Sequence, residues 1–144
     1  MKMSANIQDF YSWTHQQARL LREGRFDELD LLTLAEEIED MGNRHYDQLE
    51  SRFELLLSHL LKWLYQPAYR GASWRLTVQG QRRKIPKLLK KNPGLKSYLP
   101  QILADAYEDA RKTAADETGL SLNTFPEQCP WPLEQALDSE FWPG

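Results

Sequence analysis

The sequence contains a single cysteine, Cys129, and no long apolar run. One cysteine cannot form an internal disulfide, so we expect a reducing, cytoplasmic setting. No stretch approaches the roughly 18 consecutive apolar residues that a membrane-spanning helix requires. The first residues also lack the apolar core of a secretion signal, so we expect no association with a membrane.

Motifs for covalent and metal catalysis are missing as well. The chain has no Gly-x-Ser-x-Gly, no glycine-rich phosphate loop and no Cys-x-x-Cys. The acidic run 36–40 is similar to the carboxylate-rich helices of ferritin-like bundles, but the Glu-x-x-His pairs of those proteins are absent. We therefore predict no catalytic residue, no metal site and no cofactor, and we favour a protein that is not an enzyme.

The composition of the chain is that of one helical domain. The length of 144 residues is in the commonest range for a single domain, and 41% hydrophobic with 27% charged residues argues against disorder. The chain has no internal repeat, no linker and no strand-like alternation of polar and apolar residues. The sequence thus predicts an all-α bundle that forms a single domain over residues 1–144.

Apolar spacing and stop signals predict four main helices, at about 6–23, 31–64, 73–91 and 100–118. The second is much the longest, and Asp30, or else Asp27, is its expected N-cap. Pro86 should kink or split the third helix because it lacks an N–H donor. We expect the second helix to bury one continuous apolar stripe, which consists of Leu34, Ile38, Met41, Leu49, Leu56 and Leu60.

The chain ends in a segment rich in proline and aromatic residues. Its prolines prevent regular structure until Pro132 can open a short helix. Each aromatic side chain can bury roughly 150–250 Å², so leaving these rings in water would be costly. We therefore expect the segment to pack back across the bundle as a C-terminal strap, through Phe125, Trp131, Phe141 and Trp142.

One flank of the second helix combines polar side chains with the edge of the apolar stripe. At about 100° per residue, this flank carries Glu37, His45, Arg52 and His59. Imidazole and carboxylate groups in a half-buried cleft are suited to acid–base chemistry or to ligand binding. The alternative, which we favour, is that these long side chains cap the edge of the core. The two histidines are four turns apart, about 21 Å, so they cannot share a metal ion.

Charge is distributed very unevenly along the chain. Residues 70–96 carry nine basic and no acidic side chains, whereas the segments before and after them have net charges of −5 and −7. One interpretation is that this basic segment grips a nucleic-acid backbone through Arg70, Trp74, Arg75, Arg82, Arg83 and Lys87. The favoured alternative is neutralisation of the segment by its acidic neighbours together with solvation, because its cations cannot all face acids and part of it should be exposed. The overall pI of 5.6 also argues against a dedicated nucleic-acid binder.

Short blocks spread over nearly the whole chain carry a resemblance. They are Asp9-Phe10-Tyr11-x-Trp13, residues 36–42, residues 59–63, Gln66-Pro67, Ser73-Trp74, Gln81-Arg82, residues 117–120, Phe125-Pro126-x-x-Cys129-Pro130 and Phe141-Trp142-Pro143. In this order they resemble the bacterial domain-of-unknown-function family twenty-nine. The resemblance implies a small helical fold over the entire chain, and it supplies no activity, cofactor or catalytic residue.

Three functions stay open on this sequence. The favoured one is a non-catalytic protein-interaction or regulatory module that binds another protein, or a second copy of itself. The second is a nucleic-acid-associated regulator that uses the basic segment. The third is an enzyme or small-ligand binder that uses the polar flank of the second helix.

Overall fold

The computed structural model describes residues 9–144, and all regular structure in that range is helical. Five α-helices follow one another: α1 (Phe10–Arg22), α2 (Leu31–Tyr65), α3 (Ala72–Lys91), α4 (Leu99–Thr118) and the short α5 (Leu133–Leu137). Each connection between them contains one 3₁₀ segment, of three residues or, between α3 and α4, of six. The predicted all-α fold is thus confirmed, with four long helices and α2 the longest. Nowhere in residues 9–144 is a helix both long and apolar enough to cross a bilayer.

The chain forms two compact units, one ending at Arg44 and the other comprising His45–Gly144, and α2 contributes residues to both. That the chain acts as one domain stays a prediction.

The first unit contains α1 and the first part of α2. Asp9 caps α1, because its carboxylate accepts the N–H of Ser12 at 3.0 Å. Asp30 caps α2 as predicted, since its Oδ1 accepts the N–H of Thr33 at 3.3 Å. The start of the first helix at about residue 6 falls outside the described residues. The buried amide of Gln17 also accepts the N–H of Asp30, at 2.9 Å, and thereby ties α1 to the start of α2.

The expected burial of one continuous stripe along α2 is wrong for its first part. Leu49, Leu56 and Leu60 are fully buried, but Ile38 is 64% exposed and Met41 is 57% exposed. Among the described residues of its own unit, this part of α2 has one other α-helix, α1, to pack against. A two-helix arrangement can cover only one side of each helix, so part of the apolar stripe faces solvent.

The second unit has a continuous core built from α2, α3, α4 and the strap. Three alanines of α4, Ala106, Ala110 and Ala114, are fully buried and let neighbouring helices approach closely. The α4 helix ends at Gly119, which adopts the left-handed conformation at φ +75°, as expected for a helix C-terminus.

The α3 helix does not split at Pro86, so that alternative of the prediction is wrong. It runs unbroken from Ala72 to Lys91, one residue earlier than the expected start, and Pro86 lies inside it. Ile85 and Leu89 are buried on either side of the exposed proline. A proline costs about 3 kcal/mol relative to alanine inside a helix, and burying one large aliphatic side chain returns about 1.5–3 kcal/mol. Two buried side chains therefore suffice to hold the helix together.

Within the second unit, the strap packs against the long helices as predicted. Phe125 is buried and meets the ring of Tyr65 edge-on at 5.1 Å between centroids. The hydroxyl of Tyr107 donates to the carbonyl of Pro126 at 2.6 Å, and Arg111 donates from Nε to the carbonyl of Phe125 at 3.1 Å. Burial raises the pKa of Tyr107 to about 12, so this hydroxyl remains a donor at neutral pH.

Candidate functional site

The four polar residues predicted along the second helix lie in different surroundings. Glu37 belongs to the first unit, whereas His45, Arg52 and His59 belong to the second. His45 is exposed. Arg52 donates from Nη1 to the side-chain oxygen of Gln81 at 3.3 Å, so its guanidinium is held against α3. The structure therefore does not gather these four side chains around one point.

Within the first unit, α1 and α2 border an apolar groove of about 490 Å³, which we call the hairpin groove. Large side chains from both helices line it: Phe10, Trp13 and Leu21 from α1, and Leu34, Ile38 and Met41 from α2. The polar groups in its wall include Gln17, Glu37 and Arg44. An apolar groove with a few polar groups is the usual composition of a recognition site.

Glu37 is the chemically unusual member of this wall. Its residue is only 6% exposed, and neither carboxylate oxygen has a hydrogen-bond partner among the described residues. Burying a carboxylate without a partner is costly, and the cost falls sharply when a donor or cation reaches it. The hairpin groove therefore carries an unsatisfied acceptor beside exposed apolar side chains.

His59 lies in the second unit and is half-buried on α2. Its Nδ1 lies 2.9 Å from the carbonyl oxygen of Leu55, so Nδ1 donates there and Nε2 is left as the acceptor. Burial lowers the pKa of His59, and the nearby ammonium of Lys62 lowers it further. The imidazole is therefore neutral at neutral pH.

One turn along α2 from His59, Lys62 lies at a polar cleft of about 450 Å³, which we call the Lys62 cleft. The ammonium lies 3.2 Å from Oε1 of Glu117 and 5.2 Å from the centre of the Trp74 ring. Gln66, Tyr69 and Thr118 complete the wall. Sequence reasoning missed this cleft because Lys62 and Glu117 are 55 residues apart. The sequence feature that could have indicated the cleft is that Lys62 follows the candidate residue His59 by one turn of α2.

The arginines of the basic segment mostly bind aromatic rings and backbone carbonyls. Arg70 lies 5.3 Å above Trp63 and donates to its carbonyl at 2.7 Å. Arg82 lies 5.3 Å from the ring centre of Trp142 and donates from Nε to Ala136 at 2.9 Å, while Arg75 lies 5.6 Å from that of Trp63. Burial lowers the pKa of Arg82, and its two terminal nitrogens have no hydrogen-bond partner within the described range.

Neutralisation of the basic segment by acidic neighbours, which the sequence favoured, does not take the form of ion pairs. In residues 9–144, every salt bridge involves Arg25, Lys62 or Lys112, and none involves a cation of residues 70–96. The remaining cations of α3 are exposed, namely Arg83, Lys84, Lys87, Lys90 and Lys91. Trp74, one of the residues proposed to contact nucleic acid, instead lies beneath the ammonium of Lys62.

Part of this surface forms a small basic cleft of about 190 Å³ between α2 and α3. Four cations line it, Arg52 from α2 and Lys84, Lys87 and Lys91 from α3, together with Gln48 and Leu88. No carboxylate is among these lining residues. Such a concentration of positive charge is suited to phosphate groups.

A family model matches residues 7–142, which is nearly the whole chain. The chain belongs to the family described as domain of unknown function DUF29. No curated protein and no solved structure matches it. The DUF29 match confirms the resemblance carried by the short sequence blocks. Those blocks supply five of the six residues that line the Lys62 cleft, all except Tyr69.

Proposed function

We propose that this DUF29 protein is a non-catalytic protein-interaction module that receives an amphipathic helix in the hairpin groove. The single observation that carries the proposal is the pairing of Glu37, buried without a partner among the described residues, with the exposed Ile38 beside it. Exposed apolar side chains grouped in a groove are typical of surfaces that a partner covers. Recognition of a helix by an apolar groove is a recurrent mode of peptide binding.

The charge of the groove indicates the chemistry of the partner. Glu37 needs a donor, and Arg44 is the other charged residue in the groove wall. Glu36, Glu39 and Asp40 lie on the same stretch of α2 but outside that wall. A helix with an apolar face and a lysine or arginine beside that face would fill the groove and pair with Glu37. We therefore assign the groove to a basic amphipathic helix of another protein. The lone Cys129 supports a reducing cytoplasm as the place of this interaction.

A fluorescent peptide of about 18 residues, with leucines at helical spacing and lysines elsewhere, tests the proposal. Ile38→Gln should weaken its binding about tenfold, because an apolar contact at the centre of the interface is lost. Leu76→Gln is the matched control, since Leu76 is exposed on α3 outside the groove, and it should leave the affinity unchanged. Fluorescence anisotropy measures both dissociation constants.

Three results would contradict the assignment to a basic partner helix. Equal binding by the Ile38→Gln and wild-type proteins would exclude the groove. Equal binding of a peptide with glutamate in place of lysine would exclude the role of Glu37. A wild-type dimer in light scattering that Ile38→Gln converts to a monomer would assign the groove to a second copy of the chain instead.

Association with nucleic acid is the second candidate function, and the basic cleft favours it. We propose that Lys84, Lys87 and Lys91 contact successive phosphates, since they lie on one face of α3 and have no ion pairs within residues 9–144. Of the residues first proposed for this role, Arg83 and Lys87 are exposed on the same helix. Arg70 and Arg82 are instead occupied by tryptophan rings and backbone carbonyls.

Salt dependence of binding tests this second candidate. Three neutralised phosphates should make the affinity for a mixed-sequence duplex fall roughly 40-fold between 50 and 200 mM salt. The triple variant Lys84→Gln, Lys87→Gln, Lys91→Gln should abolish this dependence, and Lys112→Gln on α4 is the control. Absence of binding to duplex and single-stranded probes at about 50 mM salt would end the hypothesis.

A further inference from the structure

Lys62 is a buried cation with an exposed counterion. Only 7% of its side chain is exposed, against 49% of the side chain of Glu117. Its ammonium has three N–H donors, and the bond to Glu117 at 3.2 Å uses one of them. An ion pair with one partner half in solvent is weak, so a competing anion can displace Glu117 into water at low cost.

The Lys62 cleft has the size and the walls of a small-molecule site. Its volume of about 450 Å³ lies within the range of roughly 300–1,000 Å³ that is typical of such sites. Trp74 supplies an aromatic ring next to the ammonium, while Tyr69 adds aromatic surface and Gln66 an amide to the wall of the cleft. Aromatic side chains prefer flat π-systems as neighbours, in stacked or edge-on arrangements. A positive charge beside aromatic walls selects a flat ligand that carries a negative group.

The backbone around the cleft is fixed before any ligand arrives. Pro67 opens the 3₁₀ turn that holds Tyr69 at the end of α2, and Trp74 lies in the first turn of α3. Thr118 closes α4, where its hydroxyl donates to the carbonyl of Ala114 at 2.7 Å and accepts the N–H of Leu120 at 3.2 Å. A preformed site loses little entropy on binding.

We propose that the Lys62 cleft binds small aromatic or heteroaromatic carboxylates. The carboxylate of the ligand replaces Glu117 at the ammonium of Lys62, and the ring lies against Trp74 and Tyr69. Glu117 then acts as an internal competitor that keeps the buried ammonium paired while the cleft is empty. The site lies wholly within residues 45–144 and does not depend on the hairpin groove or on the basic cleft.

The test uses 2-naphthoate as the probe, with 2-naphthamide as its uncharged match and cyclohexanecarboxylate as an acid without a π-system. Dissociation constants come from NMR titration of the full chain. Lys62→Met should weaken naphthoate binding at least about tenfold, because the ammonium that binds the carboxylate is removed. Glu117→Gln should strengthen it by about three- to tenfold, because the competing carboxylate is gone. Lys112→Gln, which alters the exposed pair with Glu108, should change nothing.

The opposite effects at the two partners separate ligand binding from a structural ion pair. If the Lys62–Glu117 pair served only the fold, both substitutions would lower stability and neither would tighten naphthoate binding. That result overturns the proposal, as does equal affinity for naphthoate and naphthamide. Equal affinity for cyclohexanecarboxylate would also overturn it, because the aromatic walls would then have no role. Loss of naphthoate binding in Trp74→Leu, with the fold intact by circular dichroism, would support it.

Discussion

Phe125→Ala is expected to lower the free energy of unfolding by about 3–5 kcal/mol, as is usual for a large aromatic side chain removed from a core. Phe125 lies in the strap, outside any helix, yet it is among the largest fully buried side chains. Its ring packs on Tyr65 at 5.1 Å, and its carbonyl accepts the hydrogen bond from Arg111. The substitution leaves that backbone bond possible but opens a cavity between the strap and α2.

Urea denaturation followed by circular dichroism measures this effect. Phe26→Ala is the control, since Phe26 is largely exposed, and its cost should be within about 0.5 kcal/mol. A cost below about 1 kcal/mol for Phe125→Ala would show that the strap is dispensable to the core. The same measurement shows how much a segment without regular structure contributes to the stability of the helical bundle.

Features set by local chemistry could be read from the sequence. The caps at Asp30 and Gly119 depend on residues within a few positions, so helix boundaries followed from spacing and stop signals. The strap was predictable because aromatic side chains between prolines have few alternatives to packing on the bundle. The continuity of α3 through Pro86 was not predictable, because it depends on how deeply Ile85 and Leu89 are buried.

The candidate sites depended on tertiary pairing and were predicted only in part. Along α2, Glu37 and Ile38 are adjacent and about 100° apart, so the position of α1 decides which one is buried. The polarity of the two side chains favours the opposite outcome, and the apolar spacing of α2 predicts burial of Ile38. Of that pair, only Glu37 is a candidate site residue on sequence grounds, in a cleft that would also contain His45, Arg52 and His59.

The basic segment shows that sequence-based prediction is limited in the same way for the partners of charged groups. Its concentration of charge was evident from the sequence, but the partners of each cation were not. Guanidinium groups stack on aromatic faces more readily than ammonium groups do, and the tryptophans available to them come from α2 and from the end of the strap. Arg70, Arg75 and Arg82 thus pack on aromatic rings of the protein, while Arg83 and the lysines of α3 are exposed. Within residues 70–96, the cations packed on aromatic rings therefore have a structural role, whereas the exposed ones are free to bind a ligand.

Ile85→Ala is expected to cost about 2–5 kcal/mol, the usual range for a fully buried aliphatic side chain. Substitution of the neighbouring Pro86 is expected to change the free energy of unfolding in the opposite direction. Pro86 is exposed, and Pro86→Ala restores the backbone N–H donor that proline lacks. The gain of about 3 kcal/mol in helix propensity is offset by the greater freedom of the unfolded chain, about 1 kcal/mol, so we expect a net gain of about 2 kcal/mol.

The two substitutions together test why α3 stays whole. If burial of Ile85 and Leu89 holds the helix against the proline, then Ile85→Ala should also reduce the helical signal of the native state in circular dichroism. Adding Pro86→Ala should restore that signal, because the weakened helix no longer contains an interruption. A full helical signal in Ile85→Ala, or a loss of stability in Pro86→Ala, would show instead that local geometry accommodates the proline without help from the core.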